Sequence, residues 1–365
     1  MRSNLKILPA LAITVASACL IAVDKKDTLA AEGEIEGADC DLVQSLRAGV
    51  LSRDAISKLG DTAGFRIYEG NPVLAPGASG EWDAGAIGST TVIRVGDVFH
   101  MYYEAWAETE ESAGLDFRSL QIGHAVSLDG IHWKKNPANP VLAKGSAGEW
   151  DADGTWDPFA IHEDGIFKLW YGGGFDRHCD YGYAESPDGT QFKKRGRVSH
   201  IGQLSDGHVV HRLGAEPYLL FYFDKRYEPR NSLFRVESPD EISFDFSAAT
   251  PIVIDGERTD AMYKFSHVFV DDGVWYMLYA NFVRPKAADS STRLARSNDG
   301  IHWTSINKSL LPGDDAEVVS LDDSLHLIFF SRRGLYNQPQ CDVRLAIYQG
   351  SWDALQDETL LNTGE

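Results

Sequence analysis

Apolar and aromatic residues fall in short runs with polar breaks between them, and both runs and breaks recur. Shifting the chain by 68 residues lays Val98-Phe99-His100-Met101-Tyr102-Tyr103 over Ile166-Phe167-Lys168-Leu169-Trp170-Tyr171. In that register Asn71-Pro72-Val73-Leu74 matches Asn139-Pro140-Val141-Leu142, and Gly80-Glu81-Trp82-Asp83 matches Gly148-Glu149-Trp150-Asp151 without an insertion. Related runs at 217–222, 274–279 and 325–330 bring the copies to five. Short runs rich in β-branched and aromatic residues predict strands, and a recurring unit predicts a repeat architecture.

A second element accompanies four of the copies. Ser127-Leu128-Asp129-Gly130-Ile131-His132-Trp133 returns as Ser186-Pro187-Asp188-Gly189-Thr190-Gln191-Phe192, as Ser238-Pro239-Asp240, and as Ser297-Asn298-Asp299-Gly300-Ile301-His302-Trp303. Asp-Gly between strand-like segments predicts a tight hairpin with positive φ at both central residues. Each unit then reads strand, turn, strand, loop, strand, hairpin, strand, which is one blade of a propeller. The fifth unit ends after Ala346-Ile347-Tyr348 without its Asp-Gly hairpin, which leaves residues 64–69 free to supply the outer strand and close the ring. Leu42, Val43, Leu46, Val50, Leu51, Ile56 and Leu59 have helical spacing instead. The chain is therefore expected to be all-β: a five-bladed β-propeller over 64–350, after a linker and short N-terminal helical lead-in at 32–63, with a polar tail at 351–365.

The first residues read as an export signal. Arg2 and Lys6 precede the apolar stretch 7–23, which is short for a membrane span. Two cleavage points compete: Ala16-Ser17-Ala18-Cys19 resembles a lipobox that would leave Cys19 as a lipid anchor, and Leu29-Ala30-Ala31 resembles an ordinary site that ends the signal at 31. The expected location is secreted or periplasmic, or the outer membrane as a lipoprotein. Cys40, Cys179 and Cys341 are odd in number and irregularly spaced, so they indicate neither a zinc site nor a disulfide framework. A formal net charge of −20 argues against a nucleic-acid partner, which calls for a basic face.

In a propeller the start of each innermost strand lies near the axis, so chemistry is sought there. Blade two offers Thr155-Trp156-Asp157-Pro158, where Asp157 heads an apolar strand; Pro158 suits a strand start because it cannot donate to the ladder. Blade three offers Ser205-Asp206-Gly207-His208, with Asp206 and His208 alternating onto one side. Each also has a structural reading, as a turn-forming Asp or a core histidine. In blade one Ser89 takes the place of Asp157, and Asp83, six positions earlier, is the candidate base. Its repeat partner Asp151 allows a structural role instead. Blade four contributes Tyr263-Lys264-Phe265-Ser266-His267 and blade five Asp314-Asp315-Ala316-Glu317, followed by Arg332-Arg333. His267 could orient a carboxylate, act as an acid or help ligate a central cation, Glu317 lies between apolar neighbours, and Arg332 could pair with it. Trp106, Trp156 and Tyr263 are candidates for stacking on sugar faces.

These features resemble the five-bladed propeller glycosidases, which comprise glycoside hydrolase families 43, 62, 32, 68, 117 and 130. The resemblance covers about residues 64–350 and rests on the five blades, the Asn-Pro-Val-Leu motif, the Asp157-Pro158 strand start and the repeated Ser-x-Asp-Gly hairpins. It implies acidic residues heading the inner strands of the first three blades as base or nucleophile, pKa-tuning carboxylate and general acid. Asp157 looks like the blade-two carboxylate and Asp206 occupies the acid position, while a blade-one Asp-Pro is absent; the resemblance leaves Asp83 or Asp157 as base and Asp206 or a histidine beside it as acid. The activity implied is exo-acting, inverting hydrolysis of polysaccharide-derived oligosaccharides, arabinofuranosidase- or xylosidase-like, with no required cofactor and with a structural calcium ion as an option. The alternatives are a family-130-like phosphorylase, which would need Lys264, Arg332 or Arg333 for phosphate, and a non-catalytic sugar-binding propeller.

Overall fold

The computed structural model describes residues 60–62, 65–108, 117–175, 178–210, 216–227, 233–256, 262–282, 291–306, 309–331 and 342–355. The export signal, the helical lead-in, Cys19, Cys40, Cys341, Arg332 and Arg333 lie outside them. Two short strands come first, β1 (Gly60–Thr62) and β2 (Phe65–Ile67). Blade one is β3 (Ala86–Val95), β4 (Val98–Trp106), β5 (Gln121–Ser127) and β6 (Lys134–Lys135). Blade two is β7 (Thr155–Glu163), β8 (Ile166–Gly173), β9 (Asp180–Ser186) and β10 (Lys193–Arg197). Blade three is β11 (Leu204–Val210), β12 (Tyr218–Asp224), β13 (Leu233–Ser238) and β14 (Thr250–Pro251), after which β15 (Val253–Asp255) joins the edge of blade four. Blade four is β16 (Met262–Asp271), β17 (Val274–Phe282), β18 (Ser291–Ser297) and β19 (His302–Ser305), with β20 (Leu311–Pro312) paired to β18. Blade five is β21 (Asp314–Asp322), β22 (Leu325–Ser331) and β23 (Val343–Gln349).

The innermost strands pack on one another in turn, β3 on β7, β7 on β11, β11 on β16, β16 on β21 and β21 back on β3. That ring of contacts is a five-bladed propeller. Closure follows the expectation from the missing hairpin: β2 pairs antiparallel with β23, setting Phe65 opposite Tyr348 and Ile67 opposite Ala346. An outer strand from before the first blade thus completes the last one.

The two Asn-Pro-Val-Leu segments reach back to the preceding blade. The Asn139 carboxamide accepts from the His124 N–H at 2.8 Å and donates to the His124 carbonyl and the Tyr103 hydroxyl, each at 3.0 Å. Asn71 does the same to blade five, accepting from Leu345 N–H at 2.7 Å and donating to the Leu345 carbonyl at 2.9 Å. The Asp-Gly segments differ from a two-residue hairpin. Gly130, Gly189 and Gly300 have φ of 78°, 74° and 70°, whereas the preceding aspartates are absent from the left-handed region. The turn is wider and held by side chains: Asp129 Oδ1 accepts from the Ile131 and His132 N–H groups at 2.7 and 2.8 Å, and Ser127 Oγ accepts from Gly130 N–H at 2.9 Å. Asp188 and Asp299 repeat the pattern. The serine and aspartate at fixed spacing are turn chemistry.

Apolar side chains fill the spaces between blades. One cluster joins blades five and one through Met101, Tyr103, Leu327 and Phe329; another joins blades two and three through Trp170, Tyr183, Tyr218 and Val236. The chain stays in the fold beyond β23: Trp352 is fully buried against Phe65, Phe269, Tyr276 and Tyr348, and Leu355 is buried beside it. Among the described residues no helix is long and apolar enough to cross a membrane, and Cys179 is a buried free thiol.

Candidate active site at the propeller axis

Every innermost strand is bulged near its start. The pairing register slips between Ile87 and Thr90 on β3, Trp156 and Phe159 on β7, Ser205 and His208 on β11, Phe265 and His267 on β16, and Asp314 and Glu317 on β21. A bulge releases residues from the ladder and re-aims their side chains, which is why bulges recur beside active sites. The released residues are Gly88-Ser89, Asp157-Pro158, Asp206-Gly207, Ser266 and Asp315-Ala316. Three of the five bulges therefore carry an aspartate at the axis. Two of these, Asp157 and Asp315, have left-handed backbones with φ of 49° and 53°. Such a conformation costs a non-glycine residue about 1–3 kcal/mol and persists only where surroundings impose it. At Asp157 the following proline disfavours compact backbone further.

Glu104 supplies the imposition. It stands on β4, not on an inner strand, yet its Oε1 accepts from Ser89 N–H at 3.1 Å and its Oε2 from Asp157 N–H at 2.7 Å. One carboxyl thus spans the bulges of blades one and two. Gly88 makes the passage: a Cβ there would lie 2.7 Å from Trp106 Cη2 and closer still to Glu104 Oε1. Blade two inverts the arrangement. In the repeat register Trp156 replaces Gly88 and Gly172 replaces Glu104, and the Trp156 ring occupies the space above Gly172.

Blades four and five add an ion pair between the buried Lys264 and Asp315, and Ser331 Oγ donates to Asp315 Oδ2 at 3.1 Å. Deeper on the same strands Glu317 pairs with His267 at 2.7 Å and accepts from Thr91 Oγ1 at 3.2 Å, tying blades four, five and one. Burial first, and then the Asp315 carboxylate, push the Glu104 carboxyl above its ordinary range, while Lys264 and the two N–H donors pull it down. Burial also raises Glu317, opposed by His267, Thr91 and the Val92 N–H. The influence of Asp315 and Lys264 on Glu104 places blades one, two, four and five around one charged centre. Asp157 is partly buried, with its Oδ2 enclosed, whereas Glu104, Lys264 and Asp315 are buried, so of these four Asp157 is the one that keeps some exposure.

No family model matches the chain. An uncharacterized protein of Mycobacterium tuberculosis is 30% identical over 137 residues, 36% of this chain and 43% of that protein. A 1,2-beta-oligomannan phosphorylase from Thermoanaerobacter is 33% identical over 109 residues, 30% of this chain and 36% of that enzyme. The chain thus spans less than half the length of these relatives. Solved structures align far more broadly. A crystal structure of a putative glycoside hydrolase from Parabacteroides distasonis aligns with a TM-score of 0.62 at 15% identity, covering 81% of this chain and 100% of that one. The beta-1,2-mannobiose phosphorylase of Listeria innocua aligns with a TM-score of 0.60 at 13% identity, covering 81% and 98%. At these identities the likeness is one of fold, and it is to five-bladed propellers of both kinds.

The sequence-predicted residues divide into groups. Asp157 and Asp206 both fall in inner-strand bulges, on neighbouring strands, although for Asp206, His208 and Tyr263 the backbone alone is described. His267 and Glu317 are partners on the axis. Trp106 is buried with Ala86 and Leu120, and the partly exposed Trp156 packs on that cluster. Asp83 instead takes Lys135 Nζ at 2.6 Å and the Tyr103 hydroxyl at 3.2 Å. Asp151 takes Lys194 and Tyr171 in the same way, at 2.6 and 3.1 Å. An arrangement found in both blades belongs to the repeat. Arg332 lies outside the described residues. Glu104 was missed, although it is the one acidic residue in the strand Val98–Trp106 and faces a glycine in the repeat register. Among the described residues no group of three or more His, Cys, Asp or Glu side chains could hold a metal ion.

Proposed function

We propose that the chain is a carbohydrate-active enzyme that hydrolyses glycosidic bonds at the axial mouth, with Asp157 and Asp206 as its working carboxyl pair. The observation that carries this reading is the bulged, left-handed Asp157, partly buried at the head of an inner strand, with its backbone N–H held by Glu104. Glycosidic cleavage needs one ionised carboxyl to activate water or attack, and one protonated carboxyl to donate to the leaving oxygen. Asp157 takes the first role and Asp206, with His208 on the same strand, the second. Trp156 offers a sugar face to stack on, with the buried Trp106 behind it. We assign exo action and inversion of configuration, and inversion calls for carboxyl groups ~6.5–9.5 Å apart.

Hydrolysis is preferred because Lys264, the cation within the axial cluster of described residues, is already neutralised by Asp315. Phosphorolysis is the second reading, favoured by the segment shared with the 1,2-beta-oligomannan phosphorylase. β-1,2-Mannosides therefore join arabinofuranosides and xylosides as candidate substrates. We place the enzyme outside the cytoplasm on the strength of the basic-then-apolar opening of the chain. The test is product release from a panel of aryl glycosides and oligosaccharides by wild type, Asp157→Asn and Asp206→Asn. Cleavage that both substitutions abolish supports the assignment. Sugar binding without turnover, unchanged by either substitution, would leave a binding propeller.

A further inference from the structure

We infer that Glu104 is a positioning residue, a carboxylate clamp that sets the aim of Asp157 by holding the bulges of two blades at once. This rests on the glycosidase reading for its kinetic consequence but not for its geometry. The two acceptor contacts go to backbone N–H groups of different strands, Ser89 on β3 and Asp157 on β7. Only a carboxylate presents two acceptors with no donor, so the pair of N–H groups selects Glu over Gln. Gln would offer one acceptor and turn its NH2 against the other N–H. The second observation is the opening made for the side chain: Gly88 leaves room on β3 for Glu104 to pass, and a methyl group there would meet both its carboxyl and Trp106.

The third observation is the strain that the clamp opposes. Asp157 keeps a φ of 49° immediately before a proline, where relaxation would carry the backbone to extended geometry and swing the carboxyl away from the axis. The charged groups facing Glu104 are Asp315 on β21 and Lys264 on β16, with Asp157 on β7. Their pairing with each other leaves the two N–H donors as the direct contacts of the Glu104 carboxyl.

The experiment compares wild type, Glu104→Gln and Gly88→Ala by two readouts: kinetics on whichever substrate the panel identifies, and amide exchange of the segment carrying Asp157. Gly88→Ala keeps the charge and displaces the carboxyl, so it serves if Glu104→Gln does not fold. Loss of the contact is expected to speed exchange at Asp157 about tenfold, the equivalent of one hydrogen bond. Misplacing the carboxyl is expected to lower kcat about 100-fold, with KM changed only a few-fold. Wild-type exchange and wild-type kcat in both variants would overturn the clamp. If wild type turns over no sugar, the glycosidase reading fails while exchange alone still decides whether Glu104 holds Asp157.

Discussion

Asp157 and Asp83 show how much a carboxylate's neighbours decide. Both precede or open an inner strand, and both are attractive as bases from sequence. Asp157 lies in a bulge with a backbone that its surroundings must hold, whereas Asp83 is neutralised by Lys135 and repeated at Asp151. Asp157→Asn should therefore fold like wild type and lose about 10²–10⁴-fold in kcat, the range for removing an acid–base group. Asp83→Asn and Asp151→Asn should instead each cost about 1–3 kcal/mol of stability by leaving a lysine and a tyrosine hydroxyl poorly paired. Their kcat should remain within a few-fold of wild type. Thermal unfolding beside steady-state kinetics separates the two classes, and a large kcat loss in Asp83→Asn alone would return that residue to the site.

At the scale of the elements, blades are held together by side chains reaching back to the previous sheet. Asn139→Ala removes three hydrogen bonds to blade one and exposes the His124 backbone. A loss of about 1–3 kcal/mol per group left unpaired is expected, and chemical denaturation of Asn139→Ala and Asn71→Ala measures it. The five-fold repeat and the closing strand were legible because periodicity survives in the residues that make these contacts. The turn geometry was less so: Asp-Gly matches a two-residue hairpin, but the serine two positions before the aspartate enlarges the turn by capping its N–H groups. Bulges left no mark in hydrophobic pattern, because an inserted residue among axial positions looks like an ordinary strand start. Glu104 escaped for a related reason. Its function depends on a passage through Gly88 that exists only once the two strands are paired.

Across the whole molecule, the buried ionisable groups set opposing pH limits. Burial lowers His100 to about 4 and His124 to about 3, where they stack on one another between blades one and two. An unfolded chain binds protons at these histidines near pH 6.5, so stability should rise with pH from about 4 to 6.5. His100→Phe should flatten that limb in a series of thermal melts. Glu317 acts the other way: its raised folded-state pKa gives stability that is full below the ordinary glutamate range and lost as pH climbs through the raised value. Glu317→Gln should therefore shift the optimum upward, and an unchanged profile would mean that the axial His267 pair carries no such linkage.

On the proposed function, the acid-bearing bulges cleave glycosidic bonds with water. The most direct test is release of free sugar from β-1,2-manno-oligosaccharides, arabinofuranosides and xylosides in phosphate-free buffer, by wild type and by Asp157→Asn. Release without phosphate that Asp157→Asn abolishes is the expected result. Release that requires phosphate and yields a sugar phosphate would contradict hydrolysis, and turnover unaffected by Asp157→Asn would contradict the site itself.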